Sequence, residues 1–187
     1  MEQVQQIIDQ IPIRHNFASY FMSLGIFIGL LISLVILLRT SKKSKAFRIY
    51  GWSLLIQSII ATDVFLCYTG LIKYVLHFND STEPLVLLLA PSIYLFVYSL
   101  LVRKPITIKK HSVHFLPAIL YFFTQIQYYL EPISVKVNAY LGAYYPNVKR
   151  AVVPENTDYT YQLIKDEFRW LVSVSYTHLT LPTTSRV

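Results

Sequence analysis

Residues 17–38, FASYFMSLGIFIGLLISLVILL, run for 22 positions without a charged side chain. An α-helix rises about 1.5 Å per residue, so this segment would be roughly 33 Å long, enough to cross the hydrocarbon core of a bilayer. The composition of the whole chain fits the same environment, because 54% of the 187 residues are hydrophobic and only 14% are charged. This composition excludes most soluble enzymes and predicts an integral membrane protein.

Further apolar segments predict an all-α fold, a polytopic bundle of transmembrane helices in which residues 17–130 form four spans. The second, third and fourth spans are expected at about residues 50–74, 85–102 and 113–130. Pro84 and Pro117 suit the first turn of the third and fourth helices, where a missing N–H costs no intrahelical hydrogen bond. Residues 168–173 would begin a fifth span.

Basic residues indicate how the spans are oriented. Nine of the 17 Lys and Arg residues fall in two clusters, at 39–48 and 103–110, with no acidic residue among them. Short loops rich in Lys and Arg stay in the cytoplasm. We therefore expect a multi-pass membrane protein, with residues 1–16 as an external N-terminal segment. The net charge of +7 then reflects topology rather than direct nucleic-acid binding.

The C-terminal part differs in composition. Residues 131–167 contain several Pro, Asn and Tyr residues and predict an external loop with some structure. Residues 174–187 resemble a translated sequencing adapter, so we expect a non-native tail and a natural reading frame interrupted near Ser173.

Two groups of polar residues are candidate sites. Asp63, with Gln57 nearby, is predicted near the middle of the second span, where a carboxylate normally faces the bundle interior. It could bind a ligand or cation, relay a proton, or simply hold the helices together by hydrogen bonds. His77, Asp80 and Glu83 lie on the second external connection and could face a ligand. Glu83 also suits a helix N-terminus.

Signals of catalysis are missing. The sequence has no glycine-rich phosphate loop, HExxH or GxSxG motif, and Cys67 is the single cysteine. His77, Asp80 and Glu83 without further His or Cys are a weak metal signal. We therefore expect no enzymatic activity, no cofactor and no metal.

Several helix-boundary motifs occur in order between residues 55 and 130. They are YTGL (68–71), FNDSTEPL (78–85), APSIYLFVYSLL (90–101) and HFLP (114–117). This order resembles the membrane region of bacterial membrane-bound AraC-type regulators, in which a block similar to SEPL…GPLLYLYVRSLL precedes HFLP. Ala90 stands where that family usually has Gly, so a small residue is kept.

The resemblance implies the sensory, signal-transducing region of a one-component transcriptional regulator in the bacterial inner membrane. In that family a cytoplasmic helix-turn-helix domain follows the membrane region, and that domain is missing from this sequence. The expected partners are the lipid bilayer, an unidentified external ligand, a second copy in a homodimer, and DNA only through the missing domain. Two alternatives to the regulator remain: the membrane region of a sensor histidine kinase, and a fragment of a transporter. The sequence downstream of this chain would distinguish the three.

Overall fold

The computed structural model of the chain describes residues 2–40, 44–102, 111–167 and 170, and these residues contain helices but no strand. Six α-helices are labelled in chain order: α1 (Glu2–Asp9), α2 (Phe17–Arg39), α3 (Lys45–Thr69), α4 (Glu83–Val102), α5 (Leu116–Leu130) and α6 (Ile133–Tyr144). Short 3₁₀ helices lie at Leu71–Tyr74, Leu76–Phe78 and Ser112–Phe115. Residues 160–167 are helical again and are called the C-terminal helix.

Three helices are long and apolar enough to cross a membrane: Phe17–Arg39, Lys45–Thr69 and Glu83–Leu101. The predicted all-α class is therefore confirmed for the described residues, but only three of the four expected spans meet this standard. The fourth falls short because α5 has 15 residues, roughly 22 Å of helix. The first three residues of the predicted fourth span, 113–115, lie in a 3₁₀ helix instead.

The second span also differs from its predicted bounds. It begins at Lys45 and ends at Thr69, because Gly70 adopts φ +77° and terminates the helix in a left-handed conformation. Glycine is required there for a second reason: a Cβ at this position would collide with the carbonyl oxygen of Pro12. The helix therefore stops five residues before the predicted end at Tyr74.

Helix α3 occupies the centre of the apolar bundle, with α2 packed on one side and α4 on the other. The approach of α2 to α3 depends on two glycines. A Cβ added to Gly29 would lie 2.6 Å from Ser58 Oγ, and one on Gly51 would lie 2.9 Å from Ile36 Cγ2. Small residues at such positions let two helix backbones come close, which increases van der Waals contact.

A group of short elements, which we call the cap, packs on the end of α3. It consists of α1, residues 10–16, the 3₁₀ helices Leu71–Tyr74 and Leu76–Phe78 with the turn that follows them, and α6 with the residues up to Ala151. Isoleucines of α1 pack with side chains of the 3₁₀ helices and of α6 in one apolar core, formed by Ile7, Ile8, Ile11, Cys67, Ile72, Leu76, Val137, Tyr140, Leu141 and Ala151. The segment before α2 is tied to α3, since the Arg14 N–H donates to the Thr69 carbonyl at 2.8 Å. The predicted external segments 1–16 and 131–167 thus contain helices and pack together.

Two predicted features concern residues outside the described part of the chain. Of the expected start of a fifth span, 168–173, only Trp170 is described, and it is helical. The expected non-native tail, 174–187, lies entirely outside, as do residues 103–110 of the second basic cluster and 41–43 of the first.

Candidate functional site

Polar side chains meet where the cap rests on the ends of α3, α4 and α5. We call this group the polar cluster. It consists of Asp63, Asn79, Asp80, Thr82, Glu83, Tyr121, Tyr128 and Lys165. The chain returns over α3 through a tight turn in which Asp80 has φ +60°, a conformation that Asp tolerates better than most residues. That turn brings Asn79 and Thr82 down onto α3.

Asp63 lies six residues before the end of α3, roughly 9 Å along the helix, and not at its middle as predicted. Thr82 Oγ1 donates a hydrogen bond to Asp63 Oδ2 at 2.5 Å, and Cys67 Sγ lies 3.9 Å from Oδ1. The side chain is 7% exposed. Its carboxyl group is therefore hydrogen-bonded to the cap. This hydrogen bond offsets part of the desolvation cost of burying the group between helices.

Tyr128 links α5 to the same turn. Asn79 Nδ2 donates to Tyr128 Oη at 3.0 Å, and both residues are buried. Cys67 Sγ lies 3.8 Å from Asn79 Oδ1, so Asn79 contacts α3 as well. One buried amide thereby joins helices that are distant in sequence.

Lys165 attaches the C-terminal helix to the start of α4. Its Nζ lies 3.1 Å from Asp80 Oδ2 and 3.1 Å from Glu83 Oε1. Tyr121 Oη donates to the other Glu83 oxygen, Oε2, at 2.5 Å. The three charged side chains are only 16–32% exposed, so solvent screens their attraction less than at an open surface.

Tyr161 adds an apolar contact between the C-terminal helix and α5. Its ring centroid lies 5.4 Å from that of Tyr128, which itself lies 5.7 Å from Lys165 Nζ. Burial raises the pKa of Tyr161 to about 12, because the phenolate would lose its hydration. The C-terminal helix is thus held by both charge and packing.

His77 lies apart from Asp80 and Glu83, although the three were predicted together. Its Nδ1 is 3.3 Å from Lys136 Nζ, which also donates to the Tyr129 carbonyl oxygen at 2.8 Å. Lys136 is 2% exposed, and burial lowers its pKa because the ammonium is desolvated. Within residues 2–40, 44–102, 111–167 and 170, no three His, Cys, Asp or Glu side chains are grouped to hold a metal ion.

Gln57 also lies apart, on an exposed face of α3. It lines a groove of about 520 Å³ bounded by α2 and α3, with Leu89 of α4 at one side. The predicted pair of Asp63 and Gln57 is therefore divided between two places. Asp63 faces the cap, whereas Gln57 faces outward from the apolar bundle.

Sequence reasoning missed five members of the cluster: Asn79, Thr82, Tyr121, Tyr128 and Lys165. A signal existed for α5, because Tyr121, Gln125 and Tyr128 recur at helical spacing and are all buried. Asn79 and Thr82 flank the predicted Asp80. Nothing in the sequence pairs Lys165 with a carboxylate 85 residues away.

The cluster brings two carboxylates, those of Asp80 and Glu83, to the ammonium of Lys165. Asp63 joins the same turn through Thr82. These contacts connect the turn before α4 with α3, α5 and the C-terminal helix. The comparisons with known proteins add no assignment: no protein-family model, curated protein or solved structure matches this chain.

Proposed function

We propose that this chain is the membrane-embedded sensory region of a one-component transcriptional regulator, acting without enzymatic chemistry. The three long apolar helices support the membrane part of this proposal. The order of helix-boundary motifs between residues 55 and 130 supports the regulatory part. DNA would be contacted only by a cytoplasmic helix-turn-helix domain encoded downstream.

A fourth span is part of the proposal. The 3₁₀ helix Ser112–Phe115 leads directly into α5, and at about 2.0 and 1.5 Å per residue the two extend roughly 30 Å, the thickness of the hydrocarbon core. Large apolar side chains are exposed along this unit, including Val113, Leu116, Ile119, Leu120, Phe123 and Leu130. Lipid would cover them.

The proposed orientation places the polar cluster outside an inner membrane. Lys45 begins α3 in the first basic cluster, and Asp63 lies near the opposite end of the same helix. Because basic connections remain cytoplasmic, the end of α3 that carries the cluster would face the exterior. The N-terminus and the cap are then on the side where an external ligand or a change in the envelope acts.

The ion pairs of Lys165 carry the sensory hypothesis. Lys165 fixes the C-terminal helix to Asp80 and Glu83, and Glu83 opens α4. A stimulus that favours separation of Lys165 from these carboxylates would release the segment that connects the cap to the following part of the chain. Such a stimulus shifts a two-state equilibrium only by its difference in affinity for the two states.

The test is to sequence the genomic locus with long reads across codon 173 and to translate the uninterrupted frame. Further hydrophobic spans followed by about a hundred residues patterned as helix-turn-helix units would support the proposal. A phosphoacceptor histidine segment with an ATP-binding domain would replace it with the sensor kinase. Additional spans without a soluble domain would favour transport.

A further inference from the structure

Gln57 occupies the midpoint of α3, with twelve helical residues before it and twelve after it. Its side chain is exposed, and the described residues provide no hydrogen-bond partner for the amide. If α3 crosses a bilayer, this amide lies at the depth where water is absent and an unpaired polar group is costly. Such a side chain normally hydrogen-bonds to another helix.

The surroundings of Gln57 are shaped to admit a helix. The groove is floored by α3 residues such as Ser58 and Ala61 and walled on one side by Gly25 and Gly29 of α2. Gly29 is already used within the chain, where it contacts Ser58. Gly25 has nothing within 4 Å of an added Cβ, so the absence of a side chain there serves no contact among the described residues.

We propose that this groove is the interface of a homodimer, in which Gln57 of one copy hydrogen-bonds to Gln57 of its partner. A carboxamide both donates and accepts, so two glutamines related by a two-fold axis satisfy each other with two N–H···O bonds. Gly25 lets the partner's helix come close, as small residues do in membrane helix pairs. An acyl chain in the groove would leave both amides unpaired.

Among the described residues, no helix of the same copy covers the groove. The C-terminal helix is docked on Asp80, Glu83 and Tyr128, at the side of the bundle formed by α4 and α5. Helix α2 has α3 as its main packing neighbour and is mostly exposed. The described chain therefore ends at the side of the bundle away from α2. The proposal depends on the membrane location of α2 and α3, but not on the regulatory role.

Disulfide cross-linking in native membranes tests this interface. The full chain is expressed in bacteria with Gly25→Cys or Ala61→Cys, and copper phenanthroline is added to isolated membranes. Phe27→Cys is the matched control, because Phe27 lies on the same helix at similar depth, is 63% exposed and does not line the groove. The unmodified chain controls for the buried Cys67. We expect covalent dimers at the groove positions, several times more abundant than at the control.

Second-site variants then separate the amide from the groove. In the Ala61→Cys background, Gln57→Leu should lower association roughly tenfold, since it removes two interhelical hydrogen bonds. Gln57→Asn should retain part of it. Gly25→Leu should also reduce cross-linking, because the leucine side chain would fill the groove, although within one copy nothing lies near a Cβ at this position. Phe27→Leu should leave cross-linking unchanged.

The possible failures are distinguishable. Chain that is extracted from membranes by alkaline carbonate would contradict the membrane location itself. If the chain stays in the membrane but the groove positions cross-link no more than Phe27→Cys does, or not at all, the proposed dimer is overturned. Maleimide protection of Gly25→Cys without any covalent dimer would assign the groove to a helix of the same chain, and would overturn it equally.

Discussion

Thr82 Oγ1 donates to Asp63 Oδ2 at 2.5 Å, and this hydrogen bond connects the turn before α4 with the buried face of α3. The two residues are 19 positions apart, and both are less than 10% exposed. The contact couples the cap to the apolar bundle, because Thr82 belongs to the same turn as Asn79 and Asp80. The stability of the cap and of α3 should therefore change together.

Thr82→Val should destabilise the protein by about 1–3 kcal/mol, because the similar shape is kept while the Asp63 carboxyl loses its hydroxyl donor in a buried site. Thr82→Ser should retain most of the stability. The measurement is thermal unfolding of the detergent-solubilised protein. Thr62→Val serves as the control, since Thr62 Oγ1 only donates to the Ser58 carbonyl within α3. Equal losses at both positions would show that the contact with Asp63 is unimportant.

Lys165→Met should loosen the C-terminal helix, because Asp80 and Glu83 would lose their shared cation and repel each other. We expect limited proteolysis between residues 145 and 160 to become several times faster. Lys149→Met is the control, as Lys149 is exposed on the same connection.

A double-mutant cycle measures the interaction itself. Lys165→Met combined with Asp80→Asn should show a coupling free energy of about 1 kcal/mol, at the upper end for exposed pairs, because the side chains are partly buried. The coupling should weaken in high salt. If the two substitutions change the free energy of unfolding additively, the ion pair does not hold the C-terminal helix in place.

The sequence predicted the helical class and the three long apolar helices because hydrophobic length alone decides them. Helix α3 ends five residues earlier than predicted, because Gly70 adopts a left-handed conformation. The close approach of Pro12, which leaves no room for a Cβ there, comes from a distant part of the sequence. The fourth span stays a prediction, because Ser112–Phe115 forms a 3₁₀ helix and leaves α5 short.

The site was harder to predict than the fold. Asp63 was recognised from its charge in an apolar run, but its partner Thr82 follows from a turn with Asp80 at φ +60°. Lys165 was missed because tertiary packing, with no local pattern, brings it to Asp80. Gln57 was grouped with Asp63 by proximity in sequence, yet the two side chains face different environments. Spacing along a helix could not separate a cap-facing residue from an outward-facing one.

Lys136 should give the cap an unusual alkaline pH dependence. Its pKa is lowered in the folded protein, so the unfolded chain binds more protons between that pKa and the ordinary value of 10.5. Below the folded pKa the cost of burying the ammonium is fully present, and it disappears as pH rises toward 10.5. Stability from this residue therefore rises with pH over that window.

The comparison is between the unmodified chain and Lys136→Met, each unfolded thermally at several pH values. The difference in stability should shift in favour of the unmodified chain as pH rises toward 10.5. Taking the difference removes the opposite effect of Tyr161, whose raised pKa makes stability fall between pH 10 and 12 in both proteins. A difference independent of pH would mean that Lys136 stays solvated.

Fusions of alkaline phosphatase, which is active only outside the inner membrane, should determine whether α5 is a span. We expect activity for fusions after Asp80 and none for fusions after residue 107, because the intervening α4 carries the chain to the basic, cytoplasmic side. The decisive fusion follows Pro146. Activity there means that residues 112–130 cross the bilayer and that the cap is assembled outside from both its N-terminal and C-terminal parts. Inactivity there would be incompatible with the contacts of α6 and Lys165, since these residues must lie on the same side as Asp80 to reach it.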